Sequence, residues 1–363
     1  MPSMHYAFIN RYKVNKNGGA ENWIKEISQI LISKGHKVDI IAPKDKEILN
    51  YEMVGVREVE YSSKIYNLFK RIGILNFGFV LVAPNIKIDL KKYDVVYVTS
   101  FLQLFIFTRT KGKFIIGTHD FFLSNNKFTV DFPIKIIKYF LYFLCKNRRV
   151  YVHSLSTEVS NSLLPGCMKI VEVGNNGLYK YTPDPADDDF FNILFLGKVD
   201  KRKGAKLLIE LLKNLPDLKS VRLWVVGEIE LDYREILESV RSNHIILTGF
   251  INESEKRNIL AKASCFLFFS NRDVFPLTAT EALRYGLPLI STWRPLIGIH
   301  SDELIFECSS TTESVLNRIE LLKREWDENK EDYFQRKVKR ARQFYEKNKR
   351  IDYEKAILNL FEN

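Results

Sequence analysis

At 363 residues the chain is longer than one hydrophobic core usually supports, so two domains are expected. Its 46% apolar and 27% charged residues are those of a soluble globular protein, and no window approaches the ~18–20 continuous apolar residues of a membrane helix. The 55 Lys and Arg against 44 Asp and Glu leave a formal charge of +11, which attracts phosphate on a nucleotide, a nucleic acid or a membrane, or simply keeps the surface soluble.

Short apolar runs alternate with longer amphipathic ones throughout, the pattern of an α/β fold with parallel sheets. The chain enters a strand near Tyr6–Asn10 almost at once, so no secretory signal is expected. Gly18-Gly19-Ala20-Glu21 then turns into a helix over Glu21–Ser33, with Trp23, Ile27, Ile30 and Leu31 on one face and Gly35 closing it. Two glycines permit a tight turn and close approach to a ligand at a helix N-terminus, although a plain strand-helix turn explains them equally. Neither a dinucleotide fingerprint nor a P-loop is present. His36 finishes a turn before the strand Val38–Ala42.

Further strands are expected at Val95–Thr99, Phe114–Gly117, Val150–His153 and Lys169–Val173. His119 follows the second of these, where it would face an interdomain cleft and could bond a sugar hydroxyl or shuttle a proton. Two apolar and basic stretches, 65–84 and 131–149, either pack on the sheet with their lysines outward or lie on an anionic membrane. Cys145, Cys167, Cys265 and Cys308 have no metal-site spacing and read as free thiols in a reducing cytoplasm.

Prolines and the run Asp187-Asp188-Asp189 mark a solvated linker; because this run precedes a strand, it is not read as a metal site. Strands follow near Asn192–Leu196, Arg222–Val226, Ile245–Thr248, Cys265–Phe269 and Leu289–Ser291. Helices fall at Leu207–Lys213, Tyr233–Arg241, Ser254–Ala263 and Ala279–Tyr285. Gly197-Lys198-Val199-Asp200-Lys201-Arg202-Lys203-Gly204 sets four cations and two glycines at the carboxyl end of a strand, which suits a diphosphate or a solvated loop. Asp273 and Glu281 then flank a strand-to-helix turn whose backbone amides suit the phosphates of a nucleotide-sugar. One acid would serve the sugar hydroxyls and the other the ribose. From Asp332 the chain is helical and highly charged, and Ile351–Phe361 recovers an apolar stripe through Tyr353, Ile357, Leu358 and Phe361.

Taken together these motifs resemble glycosyltransferase family 4, over nearly the whole chain and most closely over Asn192–Ser291. The matching features are Gly18-Gly19, Asn176-Gly177, Gly197-Lys198…Lys203-Gly204, Asp273…Glu281 and Gly286-Leu287-Pro288. The resemblance implies a GT-B fold: an acceptor-side Rossmann-like domain over 1–180, a donor-side one over 181–345, and a helix in 346–363 that crosses back to the first. It implies retaining transfer of a sugar from a nucleoside diphosphate to an acceptor hydroxyl, with neither cofactor nor metal.

By the same resemblance, Lys198 and Lys203 stabilise the departing diphosphate, Asp273 holds the transferred sugar, and His119 sits near the reacting centre. Gly18, Gly19, Gly197, Phe275, Leu277 and Thr278 bind the donor, and Glu281 grips its ribose. Asp273 stands where Glu is usual, Lys198 where Arg is usual, and Thr292–Gly298 replaces a glycine-rich segment. The expected acceptor is a glycan, a lipid-linked molecule or a protein, and the expected location is the cytoplasm or its membrane surface. The alternatives are a sugar-nucleotide epimerase or hydrolase of the same fold and a catalytically silent nucleotide-sugar binder. A nucleic-acid partner is not expected, for there is no recognised module or aromatic-basic cluster.

Overall fold

The computed structural model describes residues 2–10, 19–43, 56–61, 88–99, 106, 108–117, 150–154, 169–172, 185–215, 220–270, 276–292, 304–348 and 353–362. The chain divides into two compact units, Met1–Asn175 with Asp352–Asn363, and Asn176–Ile351.

In the first unit the strands are β1 (His5–Ile9), β2 (Lys37–Pro43), β3 (Val56–Tyr61), β4 (Val95–Val98), β5 (Lys113–Gly117), β6 (Val150–Ser154) and β7 (Lys169–Glu172). They pair in parallel in the order β3-β2-β1-β4-β5-β6-β7. Parallel neighbours need a crossover, and α1 (Gly19–Ser33) makes the one from β1 to β2. It buries Trp23, Ile24, Ile27 and Leu31; Ile24, not Ile30, completes the face, because positions i, i+1, i+4 and i+8 line up at 3.6 residues per turn. Its end is closed by Gly35 at φ +85°, with the His36 amide donating to the Leu31 carbonyl. His36 does more than finish that turn: Nδ1 accepts from the Met4 amide at 3.2 Å.

The second unit holds β8 (Phe191–Leu196), α2 (Ala205–Asn214), β9 (Val221–Val226), α3 (Leu231–Ser239), β10 (Ile245–Gly249), α4 (Glu253–Lys262) and β11 (Cys265–Phe268). After these come α5 (Leu277–Arg284), β12 (Leu289–Ser291), β13 (Ile305–Glu307), α6 (Thr312–Glu328) and α7 (Lys330–Asn348). The sheet order is β10-β9-β8-β11-β12-β13, again all parallel. Both strand faces are covered, so the strands read as continuous apolar runs: Cys265–Phe268 is buried throughout. β3, β13 and α6 are elements beyond those expected above. In each sheet the chain starts in the middle and reverses direction, between β1 and β4 and between β8 and β11. In open α/β sheets ligands gather at the carboxyl ends of such switch points.

Residues 185–190 are tied down rather than freely solvated. The Ala186 amide donates to the Ala261 carbonyl at 2.9 Å, Lys330 reaches Asp187 and Asp189 at 3.2 Å each, and Lys262 lies 3.8 Å from Asp188. Beneath them Lys337 of α7 is buried and donates to the carbonyls of Ala186, Ala261 and Ala263, the last two at the end of α4. Burial drags its pKa down to about 7, against the pull of Asp187 and Asp188.

The last helix, α8 (Tyr353–Glu362), belongs to the first unit. It buries Tyr353, Ile357, Leu360 and Phe361, so Leu360 takes the place expected of Leu358 on the inward stripe. Phe361 meets Tyr6, Phe8 and Tyr97 at ring distances of 5.9, 5.5 and 5.8 Å. Polar pins surround this contact: Lys113 Nζ donates to the Leu360 carbonyl at 2.7 Å, Lys34 pairs with Glu354 at 2.6 Å, and His36 Nε2 lies 3.3 Å from Glu362. Among the described residues no helix is long and apolar enough to cross a membrane.

Candidate functional site

At the switch point of the second unit, β8 runs into the basic loop. Gly197 takes φ +146°, a conformation open to glycine, and packs against Gly227, where an added Cβ would lie 2.2 Å from the Gly197 carbonyl oxygen. The loop is then pinned to the end of β9: Val199 is buried, its amide donates to the Glu228 carbonyl at 2.8 Å, and it receives the Glu230 amide at 3.1 Å. Asp200 closes the next turn, its carboxylate accepting from the Lys203 amide at 2.8 Å and its carbonyl from the Ala205 amide at 3.1 Å. Gly204, at φ +80°, opens α2 with its backbone against Phe269 at the end of β11. Lys198 is held only loosely, 3.7 Å from Glu230 in a pair whose members are both over two-fifths exposed. Lys201 and Arg202 are exposed and Lys203 is half-buried.

The neighbouring strand supplies the other wall. After β11 the Ser270 hydroxyl is buried and has no hydrogen-bond partner among the described residues, a feature that sequence reasoning missed. Asp273 and Phe275 lie outside the described residues. Pro276 then starts α5 with no side-chain cap, and its carbonyl receives the Thr280 amide and hydroxyl at 3.0 and 3.1 Å. The first-turn amides, those of Leu277 and Thr278 among them, are the orphan donors of a helix N-terminus and carry its partial positive charge. Glu281 stands one turn further along, with Oε1 accepting from Lys256 Nζ of α4 at 2.8 Å. Burial works to lower the Lys256 pKa, but Glu281 and then Glu253 outweigh it and hold the value above that of an ordinary lysine. Gly286 of the Gly-x-Pro motif takes φ +70° and presses on α7, where an added Cβ would meet the Lys337 carbonyl oxygen at 2.1 Å. This glycine is therefore required by close packing.

In the first unit Gly19 is the first residue of α1, while Gly18 and His119 lie outside the described residues. A buried polar chain sits at the β1–β4 switch point: Thr99 Oγ1 donates to Asn10 at 3.0 Å, and Asn10 Nδ2 donates to Glu21 at 3.2 Å. It fixes the entry to α1, with the Glu21 carboxylate in the helix's first turn. His153 is a core residue, hydrogen-bonded to the Tyr97 hydroxyl at 2.8 Å and stacked on Trp23. The basic stretches 65–84 and 131–149 fall outside the described residues. Among the described residues no group of three or more His, Cys, Asp or Glu is placed to hold a metal ion.

The structure thus brings Gly197, Lys198 and Lys203 onto one loop, packed on the end of β11 where Gly204 meets Phe269, and Leu277, Thr278 and Glu281 onto one helix. The model of group 1 glycosyl transferases matches residues 182–298, and that of glycosyltransferase family 4 matches residues 17–162. A human protein, one of the subunits of phosphatidylinositol N-acetylglucosaminyltransferase, is 26% identical over 332 residues; the match spans 84% of this chain and 65%, just under two thirds, of the human protein's length. Among solved structures, sucrose-phosphate synthase from Thermosynechococcus elongatus superposes with a TM-score of 0.70 at 15% identity, covering 98% of this chain and 97% of that one. Anabaena HepE, solved with UDP and glucose, superposes at 0.65 and 12% identity, covering 98% of both chains.

Proposed function

The chain belongs to the glycosyltransferases of group 1, family 4, with their GT-B fold, and we infer from this premise that it takes its sugar from a nucleoside diphosphate and transfers it with retention of anomeric configuration. One observation carries this reading. The adjacent central strands β8 and β11 end in a basic glycine loop and in a helix N-terminus without a side-chain cap, at the switch point of a parallel sheet. Cations and amide dipoles at the ends of neighbouring strands suit a diphosphate that gains charge as it leaves.

In this reading the bond from the anomeric carbon to the diphosphate oxygen breaks, and the acceptor oxygen bonds to that carbon on the same face. The acceptor's proton passes to the departing phosphate oxygen. Lys198, Lys203 and the amides of Leu277 and Thr278 take up the developing negative charge, which a metal would otherwise do. Asp273 holds hydroxyls of the transferred sugar, with Phe275 beside it and His119 on the acceptor side, while Glu281 accepts from the ribose hydroxyls. The human relative's name carries phosphatidylinositol, which supports a lipid-linked acceptor at a membrane surface. The HepE complex with UDP makes uridine-linked sugars the first donors to try.

The test is incubation with UDP-, GDP- and ADP-sugars and a panel of lipid and glycan acceptors, with the product's anomeric configuration read by proton NMR. Acceptor-dependent product with the donor's configuration is expected. An inverted product overturns retention, and donor conversion that ignores the acceptor overturns transfer in favour of a hydrolase or epimerase.

A further inference from the structure

Lys256 is the one partner the structure gives Glu281 among the described residues, and nothing in the chain's order announces it. The two stand 25 residues apart on different helices, α4 and α5. Their side chains are 21% and 23% exposed, so this is a largely desolvated pair rather than a surface one. Lys256 Nζ meets Glu281 Oε1 at 2.8 Å and Glu253 Oε2 at 2.9 Å, so two carboxylates share one cation and Glu281 keeps its strength as an acceptor. Glu281 Oε2 makes no hydrogen bond among the described residues. The lysine's own place is fixed: one residue before it, Glu255 completes a capping box with Asn252 that sets the first turn of α4.

We propose that Lys256 is a positioning residue of the nucleotide site, holding Glu281 by one carboxylate oxygen so that the other receives the ribose hydroxyls. This rests on reading Glu281 as the ribose carboxylate. A lysine that merely fastens α4 to α5 would affect stability and leave nucleotide selectivity alone. A positioning lysine governs how strongly the site distinguishes a ribose from a sugar without its hydroxyls.

The experiment measures, by titration calorimetry, the affinities of UDP, GDP and ADP and of their 2′,3′-dideoxy counterparts for the wild type, E281Q, K256M, K256Q and K256R, with a melting curve for each. For the base that binds, the wild type should prefer the ribonucleotide about tenfold or more, the scale of a hydrogen bond to a charged group. E281Q and the neutral variants K256M and K256Q should bring that ratio to within about threefold of unity, and K256R should restore most of it. If E281Q collapses the ratio while K256M and K256Q keep it, or weaken both ligands equally, the positioning role is overturned and the ribose reading stands. If E281Q leaves the ratio unchanged, or no nucleoside diphosphate binds the wild type, the ribose reading falls and this proposal with it. K256Q has nearly the length of the native side chain, so it carries the comparison should K256M melt too low to titrate.

Discussion

Gly204 leaves no room for a side chain against Phe269: an added Cβ would stand 2.5 Å from the Phe269 Cβ and 2.9 Å from its carbonyl oxygen. The glycine also sits at φ +80°, where an L side chain is strained. Gly204→Ala should therefore lower stability by about 1–3 kcal/mol and displace the basic loop from the end of β11. Urea unfolding combined with nucleotide titration checks both effects. A variant with native stability and native affinity would show that the loop does not depend on this contact.

Lys203→Ala should cost about 2–4 kcal/mol of transition-state stabilisation, seen in turnover at saturating donor, with little change in melting temperature. Lys201, exposed on the same loop, is the control, and its alanine variant should retain most of the turnover. Equal losses in the two variants would point to general loop charge rather than a specific contact.

Transfer should persist in the presence of a chelating agent, because the leaving diphosphate meets lysines and a helix N-terminus in the proposed site. Loss of turnover in EDTA, restored by a divalent cation, would contradict this part of the mechanism.

Lys337 makes stability depend on pH. Its pKa is about 7 in the fold and 10.5, the ordinary lysine value, in the unfolded chain. Between those values the unfolded chain holds more protons, so raising the pH favours the fold, and lowering it toward about 7 removes the gain. The urea midpoint of the wild type should climb relative to that of K337M from about pH 7 to about pH 9. Above that range the buried Cys265, Tyr97 and Tyr333, whose pKa values burial raises, act in the opposite sense. Parallel curves for the two proteins over the window would exclude the effect.

Phe361 has no exposed surface and packs among Tyr6, Phe8 and Tyr97. Phe361→Ala should destabilise the first unit by roughly 3–5 kcal/mol, measured by urea unfolding. A loss below about 1 kcal/mol would mean that α8 contributes little to that core.

Most strands of the second unit are visible in sequence to within a residue or two, because strands covered on both faces are continuous apolar runs. β3 is not, since Val56-Arg57-Glu58-Val59-Glu60-Tyr61 carries three charges and lies at the sheet's edge. β13 is three residues long, and the buried positions of α6 (Val315, Ile319, Leu322 and Lys323) are spread among charges. For the site, motif spacing points to Gly197, Lys198, Lys203 and Glu281. It is silent about Lys256, because a lysine on a polar helix reads as ordinary surface until the fold brings it to Glu281. Ser270 is equally silent, since only burial tells an orphan hydroxyl from a solvated one.

The docking of α8 makes the first unit discontinuous in the chain: Met1–Asn175 is completed by a helix that begins after the whole of Asn176–Ile351. On the ribosome, the amino-terminal sheet must therefore wait, with Tyr6, Phe8 and Trp23 uncovered, while the entire second unit is translated. A nascent chain released before that helix emerges would carry an open aromatic wound and be a natural client for chaperones.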